Sequence, residues 1–174
     1  DDVARTAARD EMRESYRTVL GHLRHESGHY YWSLLDADED LLSQFRELFG
    51  DERQDYRAAL DRHYDVGPPD DWRQRYISAY ASSHPSEDWA ESWGHYLHIF
   101  DAVDTAWAHG LLGTPPSDLS MAERLAAWTR ISLTLNELNR SVGRGDAYPF
   151  VINESAAEKL ELIELAIRRL QKLR

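Results

Sequence analysis

The sequence predicts a mainly α-helical domain, and three observations lead to this prediction. Apolar residues recur at intervals of three and four along most of the chain, which is the period of an amphipathic helix. Breakers such as Gly67-Pro68-Pro69 and Pro115-Pro116 divide these stretches into helix-sized lengths. No segment shows the sustained apolar–polar alternation of a half-buried strand. With 174 residues, the chain is predicted to form a single domain over residues 1–174.

The first predicted helix covers residues 3–35, as one helix or as two nearly collinear helices. Its apolar residues form a stripe that we expect to be buried. The members of this stripe are Met12, Tyr16, Val19, Leu20, Leu23, Ser27, Tyr30 and Leu34. His22, His25 and His29 project from the opposite side of the same helix. We therefore expect a central helix with an apolar flank and a histidine flank.

Six further helices follow from periodicity, caps and breakers. Their predicted ranges are residues 41–49, 52–64, 72–80, 85–109, 119–138 and 154–173. Pro85 suits the first turn of its helix, and Asn153 suits the cap of the last one. A short extended segment is predicted at residues 150–152.

His25-Glu26-Ser27-Gly28-His29 is an H-E-x-x-H motif on the first helix. Two histidines four residues apart lie about 40° apart around a helix and one turn apart along it. Both imidazoles can therefore reach one metal ion, while Glu26 can act on a water molecule at that ion. The motif predicts His25 and His29 as zinc ligands and Glu26 as the general base.

The third ligand is expected on the helix at residues 85–109. Glu87 and Glu91 lie together on the side opposite its apolar face, so one could bind the metal and the other could hold a ligand histidine. His84, His95 and His98 lie near them by the same geometry, and we expect His95 and His98 to be structural. Zinc in hydrolytic sites takes three protein ligands of this kind.

Composition excludes several other classes of function. The net charge is -11 and no block of five basic residues occurs, so nucleic acids and anionic membranes are not expected partners. The chain has no cysteine, which leaves His, Asp and Glu as metal ligands. No apolar run has membrane-spanning length and no signal peptide opens the chain, so a cytoplasmic location is expected.

Several segments resemble a bacterial family of zinc-binding metallopeptidases. The matching segments are residues 24–32, 49–53, 80–93, 135–140 and 147–150. The resemblance implies a zincin-like helical metallopeptidase domain that binds Zn²⁺ and acts on proteins or peptides. Members often carry a zinc ribbon and further sequence before the H-E-x-x-H helix, so this chain is expected to be the C-terminal part of such a protein. Whether a β-sheet subdomain precedes the metal helix stays open.

The spacing Tyr-x6-Glu-x3-Glu at Tyr80, Glu87 and Glu91 is similar to the gluzincin site of anthrax lethal factor. That resemblance implies Tyr80 as the transition-state donor, Glu87 as the third zinc ligand and Glu91 as its outer partner. Tyr76 is close enough in sequence to take the place of Tyr80. His84 is a further candidate for contact with the developing oxyanion.

These observations predict hydrolysis of peptide bonds by a metal-activated water, with Glu26 as the base. A non-catalytic metal-binding interaction or scaffold domain is the alternative from another class. Hydrolysis of a non-peptide amide is a third reading that the motif does not distinguish from the first. The sequence contains no indication of oligomeric state.

Overall fold

The computed structural model describes residues 18–35 and 38–172, and this part of the chain is helical without any strand. The α-helices are α1 (Val19–Trp32), α2 (Glu39–Leu48), α3 (Tyr56–Val66), α4 (Trp72–Arg75), α5 (Pro85–Ala108), α6 (Met121–Ser141) and α7 (Glu154–Lys172). Two short 3-10 helices lie at Tyr80–Ser83 and Pro116–Asp118. The prediction of a mainly α fold is confirmed. Within the described residues, no helix combines the length and apolarity needed to cross a membrane.

The helices begin where short polar side chains can bind the free backbone N–H groups of the first turn. Thr18, Asp38 and Asp55 accept such bonds at the starts of α1, α2 and α3. Ser120 forms a capping box with Glu123 at the start of α6. The side chain of Asn153 accepts from the N–H of Ala156, as its predicted role as a cap requires.

Helix α5 is the central element of the fold. It contacts α1, α6, α7 and both 3-10 helices, while α2 and α4 pack on α7 and α3 packs on the first 3-10 helix. Large side chains from α1, α2, α5, α6, α7 and the segment before α7 fill the core around α5. The bulkiest completely buried members are Trp89, Trp128, Tyr148, Phe45, Leu35 and Leu41. The predicted range of this helix, residues 85–109, agrees closely with Pro85–Ala108.

The prediction that the apolar stripe of the first helix is buried is wrong for the described residues. Val19 is 80% exposed and Leu23 is 61% exposed, and the rest of the described stripe except Ser27 is similarly open. The helix instead packs on α5 through the side that carries His25 and Gly28. Apolar periodicity identifies a face of a helix but not the neighbour that covers it. Met12 and Tyr16 lie outside the described residues.

Two other segments differ from their predicted structure. The predicted helix at residues 72–80 is reduced to the four-residue helix α4, because Tyr76 adopts an extended conformation and ends it. The backbone then turns at Ser78, whose hydroxyl accepts from the N–H of Ala81 at 3.1 Å and so favours a local turn over a longer helix. Residues 150–152 form no strand, and α3 begins at Tyr56, four residues later than predicted.

Candidate metal centre

Close packing of α1 against α5 forms the site. A Cβ atom on Gly28 would lie 3.0 Å from the Cα of Ala90, so only glycine allows the two backbones to approach this far. Two indole N–H groups of α5 fix the contact: Trp89 donates to the carbonyl of Gly28 and Trp93 donates to the hydroxyl of Ser27, each at 3.0 Å. The H-E-x-x-H segment is therefore held against the start of α5.

This packing brings together His25, His29 and Glu87, three residues that could hold a metal ion. The Nε2 atoms of His25 and His29 are 3.2 Å apart. The carboxylate of Glu87 lies 3.2 Å from His25 Nε2 through Oε2 and 3.5 Å from His29 Nε2 through Oε1. Tetrahedral zinc with bonds of about 2.0–2.1 Å would require ligand atoms roughly 3.3 Å apart. The spacing of 3.2 Å between the two Nε2 atoms and the spacing of 3.2 Å between His25 Nε2 and Glu87 Oε2 fit such an ion.

The environment of Glu87 gives a second indication that the site suits a cation. Glu87 is 2% exposed, and its Oε2 atom is buried without a hydrogen bond of normal geometry to any residue that the structure describes. A buried carboxylate oxygen without a donor is unfavourable unless a cation neutralises it. The side chain of His29 remains 33% exposed, so the cluster is open to solvent on that side.

An outer hydrogen bond fixes the orientation of His25. Its Nδ1 atom lies 2.8 Å from Oε1 of Glu91, and Oε2 of Glu91 accepts from the hydroxyl of Ser78 at 2.7 Å. Nδ1 donates to this carboxylate, and the other ring nitrogen, Nε2, faces His29 and Glu87. Carboxylates that hold ligand histidines in this way fix the ring and raise its basicity.

Electrostatic interactions favour charge separation within the cluster. Burial lowers the pKa of His25, but the carboxylates of Glu87 and Glu91 outweigh burial and raise this pKa to about 10. Burial would raise the pKa of Glu87 and Glu91, yet the neighbouring histidines lower it, to about 2 for Glu91. Both carboxylates are therefore ionised at neutral pH.

Tyr56 is a residue of this site that sequence analysis missed. Its hydroxyl donates to Oε1 of Glu87 at 2.7 Å. The residue is separated from Glu87 by 31 positions and lies at the start of α3, so neither a motif nor helical spacing connects them. Ser78 was missed for the same reason. The sequence feature that bears on Tyr56 is Asp55, a residue type that caps helices, because it places Tyr56 at the beginning of a helix.

Glu26 lies on the solvent side of α1, next to His25 in sequence. Its side chain is 55% exposed, and Oε1 is 3.7 Å from Nε2 of His22 on the preceding turn. The carboxylate is thus accessible to water.

The two tyrosines predicted as donors occupy different places. The ring of Tyr80 is buried, with its centroid 6.1 Å from that of His25 and 6.2 Å from that of His63. The ring of Tyr76 lies under the ammonium group of Lys159, 4.5 Å from Nζ. Tyr80 is therefore in ring contact with His25, whereas Tyr76 packs against α7.

The remaining histidines of this region have structural contacts. His84 caps α5 by accepting from the N–H of Ser86 through Nδ1, and its Nε2 atom is 3.3 Å from the carbonyl of Gln54. His95 is buried with Nδ1 2.7 Å from the hydroxyl of Tyr148, and the ring of His98 stacks on that same tyrosine. These contacts agree with the structural role expected for His95 and His98.

Comparison with known proteins places the chain in a family. Residues 1–166 match the family described as "Putative zinc-binding metallo-peptidase", and the chain belongs to this family. It is 47% identical over 175 residues to proteins described as uncharacterized from Mycobacterium bovis and from the CDC 1551 and H37Rv strains of Mycobacterium tuberculosis. The match covers 96% of this chain and 51% of each relative, so the chain spans about half the length of these relatives. No solved structure matches it.

Proposed function

We propose that this domain is a zinc-dependent peptidase of the gluzincin type. The observation that carries the proposal is the cluster of His25, His29 and Glu87, whose ligand atoms are spaced for one small cation. The Oε2 atom of Glu87 accepts no hydrogen bond of normal geometry from the residues that the structure describes. The family description names the same metal and the same class of chemistry. Proteins or peptides are the proposed substrates, and a cytoplasmic location stays a prediction.

In this proposal His25, His29 and Glu87 would hold Zn²⁺, the histidines through Nε2 and the glutamate through a carboxylate oxygen. Zinc bound by three protein ligands supplies a Lewis acid and lowers the pKa of a water molecule to about 7. Glu91 and Ser78 keep His25 Nδ1 protonated and its ring in place. The charge of the carboxylates makes the site selective for a cation over an anion.

Glu26 is the proposed base. Its exposed carboxylate takes a proton from the attacking water and returns it to the nitrogen of the leaving amine. Tyr80 stays the proposed donor to the developing oxyanion because its ring lies beside His25. His84 could contact the oxyanion only if its Nε2 atom gave up its contact with the carbonyl of Gln54. We therefore favour Tyr80 over His84 as the oxyanion donor.

The substitution Glu26→Gln tests the catalytic part of the proposal. We expect the variant to keep the zinc content of the wild type and to lose turnover by on the order of 100-fold or more, because the amide cannot accept a proton. The measurement is cleavage of a peptide library with and without a chelator, together with metal analysis of the same samples. Glu158→Gln on the exposed side of α7 is the matched control.

Two outcomes would contradict the proposal in different ways. Undiminished cleavage by Glu26→Gln would remove Glu26 from the mechanism. A wild-type chain that binds zinc but cleaves nothing in the library would favour the alternative, a non-catalytic metal-binding interaction domain.

A further inference from the structure

The contact between Tyr56 and Glu87 has no role in the mechanism above. We propose that Tyr56 is a positioning residue of the metal site, whose phenol holds Oε1 of Glu87 so that Oε2 is the oxygen presented to the cation. This inference rests on the proposed zinc site and specifies how its carboxylate ligand binds: through one oxygen, with the other oxygen held by the protein.

The two oxygens of Glu87 have different surroundings. Oε1 accepts from Tyr56 Oη at 2.7 Å and lies 3.5 Å from His29 Nε2. Oε2 is buried, accepts no hydrogen bond of normal geometry from the described residues, and lies 3.2 Å from His25 Nε2. One lone pair of Oε1 is therefore engaged by a protein donor, while Oε2 keeps its lone pairs for a cation.

The fold places Tyr56 at this oxygen through two linked helix starts. Tyr56 is the first residue of α3, after its cap Asp55, and Glu87 lies in the first turn of α5, after its cap His84. The two starts are joined because His84 Nε2 lies 3.3 Å from the carbonyl of Gln54. The rings of Tyr56 and His84 also meet edge to face with centroids 5.2 Å apart. The distance from the Tyr56 phenol to the Glu87 carboxylate is thus set by the capped first turns of α3 and α5.

A hydrogen bond to a ligating carboxylate has a specific consequence for metal binding. Glu87 has three rotatable side-chain bonds, and its carboxylate can turn to offer either oxygen or both. A donor fixed on Oε1 selects one of these arrangements before the metal arrives, which reduces the reorganisation that binding requires. Outer donors of this kind typically change metal affinity or activity by about 10–100-fold.

Exposure distinguishes Tyr56 from Tyr80, the tyrosine that the sequence favoured. Tyr56 is 37% exposed, whereas Tyr80 is 3% exposed behind the ring of His25. Tyr56 therefore lies at the rim of the cluster and acts through Glu87, while Tyr80 packs against His25. The two residues are assigned different roles, and the test below concerns Tyr56 alone.

The test is the substitution Tyr56→Phe, which removes the hydroxyl and leaves the ring in place. We expect its dissociation constant for Zn²⁺, measured by competition with a chromophoric chelator, to rise about 10–100-fold. X-ray absorption of the zinc-loaded variant should show added oxygen coordination from a carboxylate that binds through both oxygens. A purely structural role would not change the coordination. Tyr64→Phe is the control, because Tyr64 lies on the same helix and its buried hydroxyl has no hydrogen bond to the described residues.

The outcomes separate this inference from the proposed function. Wild-type affinity and unchanged coordination in Tyr56→Phe, with peptide cleavage intact in the wild type, would overturn the role of Tyr56 and leave the peptidase standing. Weakened zinc affinity and altered coordination in Tyr56→Phe, together with a wild type that cleaves no peptide, would support the role of Tyr56 in metal binding. The same result would overturn the proposed peptidase activity. Equal weakening in Tyr64→Phe would also overturn the assignment, because any loss of a hydroxyl from α3 would then have the same effect.

Discussion

His25 connects the two carboxylates of α5 through the two nitrogens of one ring. Nδ1 is committed to Glu91, and Nε2 faces Glu87 and His29. The H-E-x-x-H spacing and the Glu87–Glu91 spacing were sufficient to select these four residues from the sequence, because both depend on local helix geometry. Tyr56 and Ser78 could not be selected in this way, since their contacts depend on how separate segments pack.

His95 provides a residue-scale prediction about pH. Burial lowers the pKa of this histidine from 6.5 to about 4. Because the pKa is lower in the folded state, the unfolded chain binds the proton at a higher pH than the folded chain does. The stability that the neutral, buried imidazole of His95 contributes is therefore complete above pH 6.5 and is lost as the pH falls from 6.5 to 4. We expect His95→Phe, which cannot titrate, to approach the stability of the wild type as the pH is lowered through this range.

Urea unfolding of both proteins at several pH values between 7.5 and 4.5 measures this effect. His109→Gln, at the exposed end of α5, is the control for removing a histidine from the surface. A stability difference between wild type and His95→Phe that stays constant over the range would show that the buried imidazole is not responsible.

At the scale of elements, the site depends on how closely α1 approaches α5. The range of α5 was predictable because Pro85 marks its first turn and a long apolar face follows. The packing of α1 was not predictable from its pattern, since its most regular apolar stripe is exposed and its glycine-bearing side is buried. Close backbone contact at Gly28 decided the orientation, and periodicity alone does not report such contacts.

Gly28→Ala tests this close approach. The added Cβ would meet Ala90 and Trp93 at 3.0 Å, so the neighbouring helix must give way by a few tenths of an ångström. We expect the free energy of unfolding to fall by about 1–3 kcal/mol from overpacking, which exceeds the gain of about 1 kcal/mol in helix propensity. Zinc affinity should fall as well, because His25 and Glu87 lie on the two helices that are pushed apart.

Gly94→Ala is the matched control within the same helix contact. Its Cβ would find the nearest atom at 3.5 Å, which is ordinary van der Waals contact, so alanine should be tolerated or stabilising. Thermal and urea denaturation of both variants compare them directly. Equal stability of the two alanine variants would contradict the account of the α1–α5 contact.

At the scale of the whole molecule, α7 is tied to the start of α5 by a buried ion pair. Nζ of Lys159 lies 2.6 Å from Oδ2 of Asp88 and 2.8 Å from the carbonyl of Arg75. Burial raises the pKa of Asp88 to about 7 against the opposing effect of Lys159. The last helix of the described chain thus supports the residue next to Glu87, although the two segments are far apart in sequence. Nothing in the local pattern of either helix predicts this pair.

Lys159→Met tests this long-range support. It removes the charge partner of the buried Asp88 side chain, and we expect a loss of about 3–5 kcal/mol in the free energy of unfolding. The double substitution Asp88→Asn with Lys159→Met should recover part of this loss, because no buried charge remains. Lys172→Met, at the exposed end of α7, should change little. A double variant that is no more stable than Lys159→Met would count against an electrostatic cause.

One zinc ion held by His25, His29 and Glu87 is the basis of every catalytic role proposed for this domain. Zinc content per chain after dialysis against trace zinc, measured for the wild type, Glu87→Ala and the surface variant Glu137→Ala, tests it most directly. We predict close to one zinc per chain in the wild type and in Glu137→Ala, and a large loss of zinc in Glu87→Ala. A wild-type chain without zinc, or full retention of zinc in Glu87→Ala, would contradict the claim.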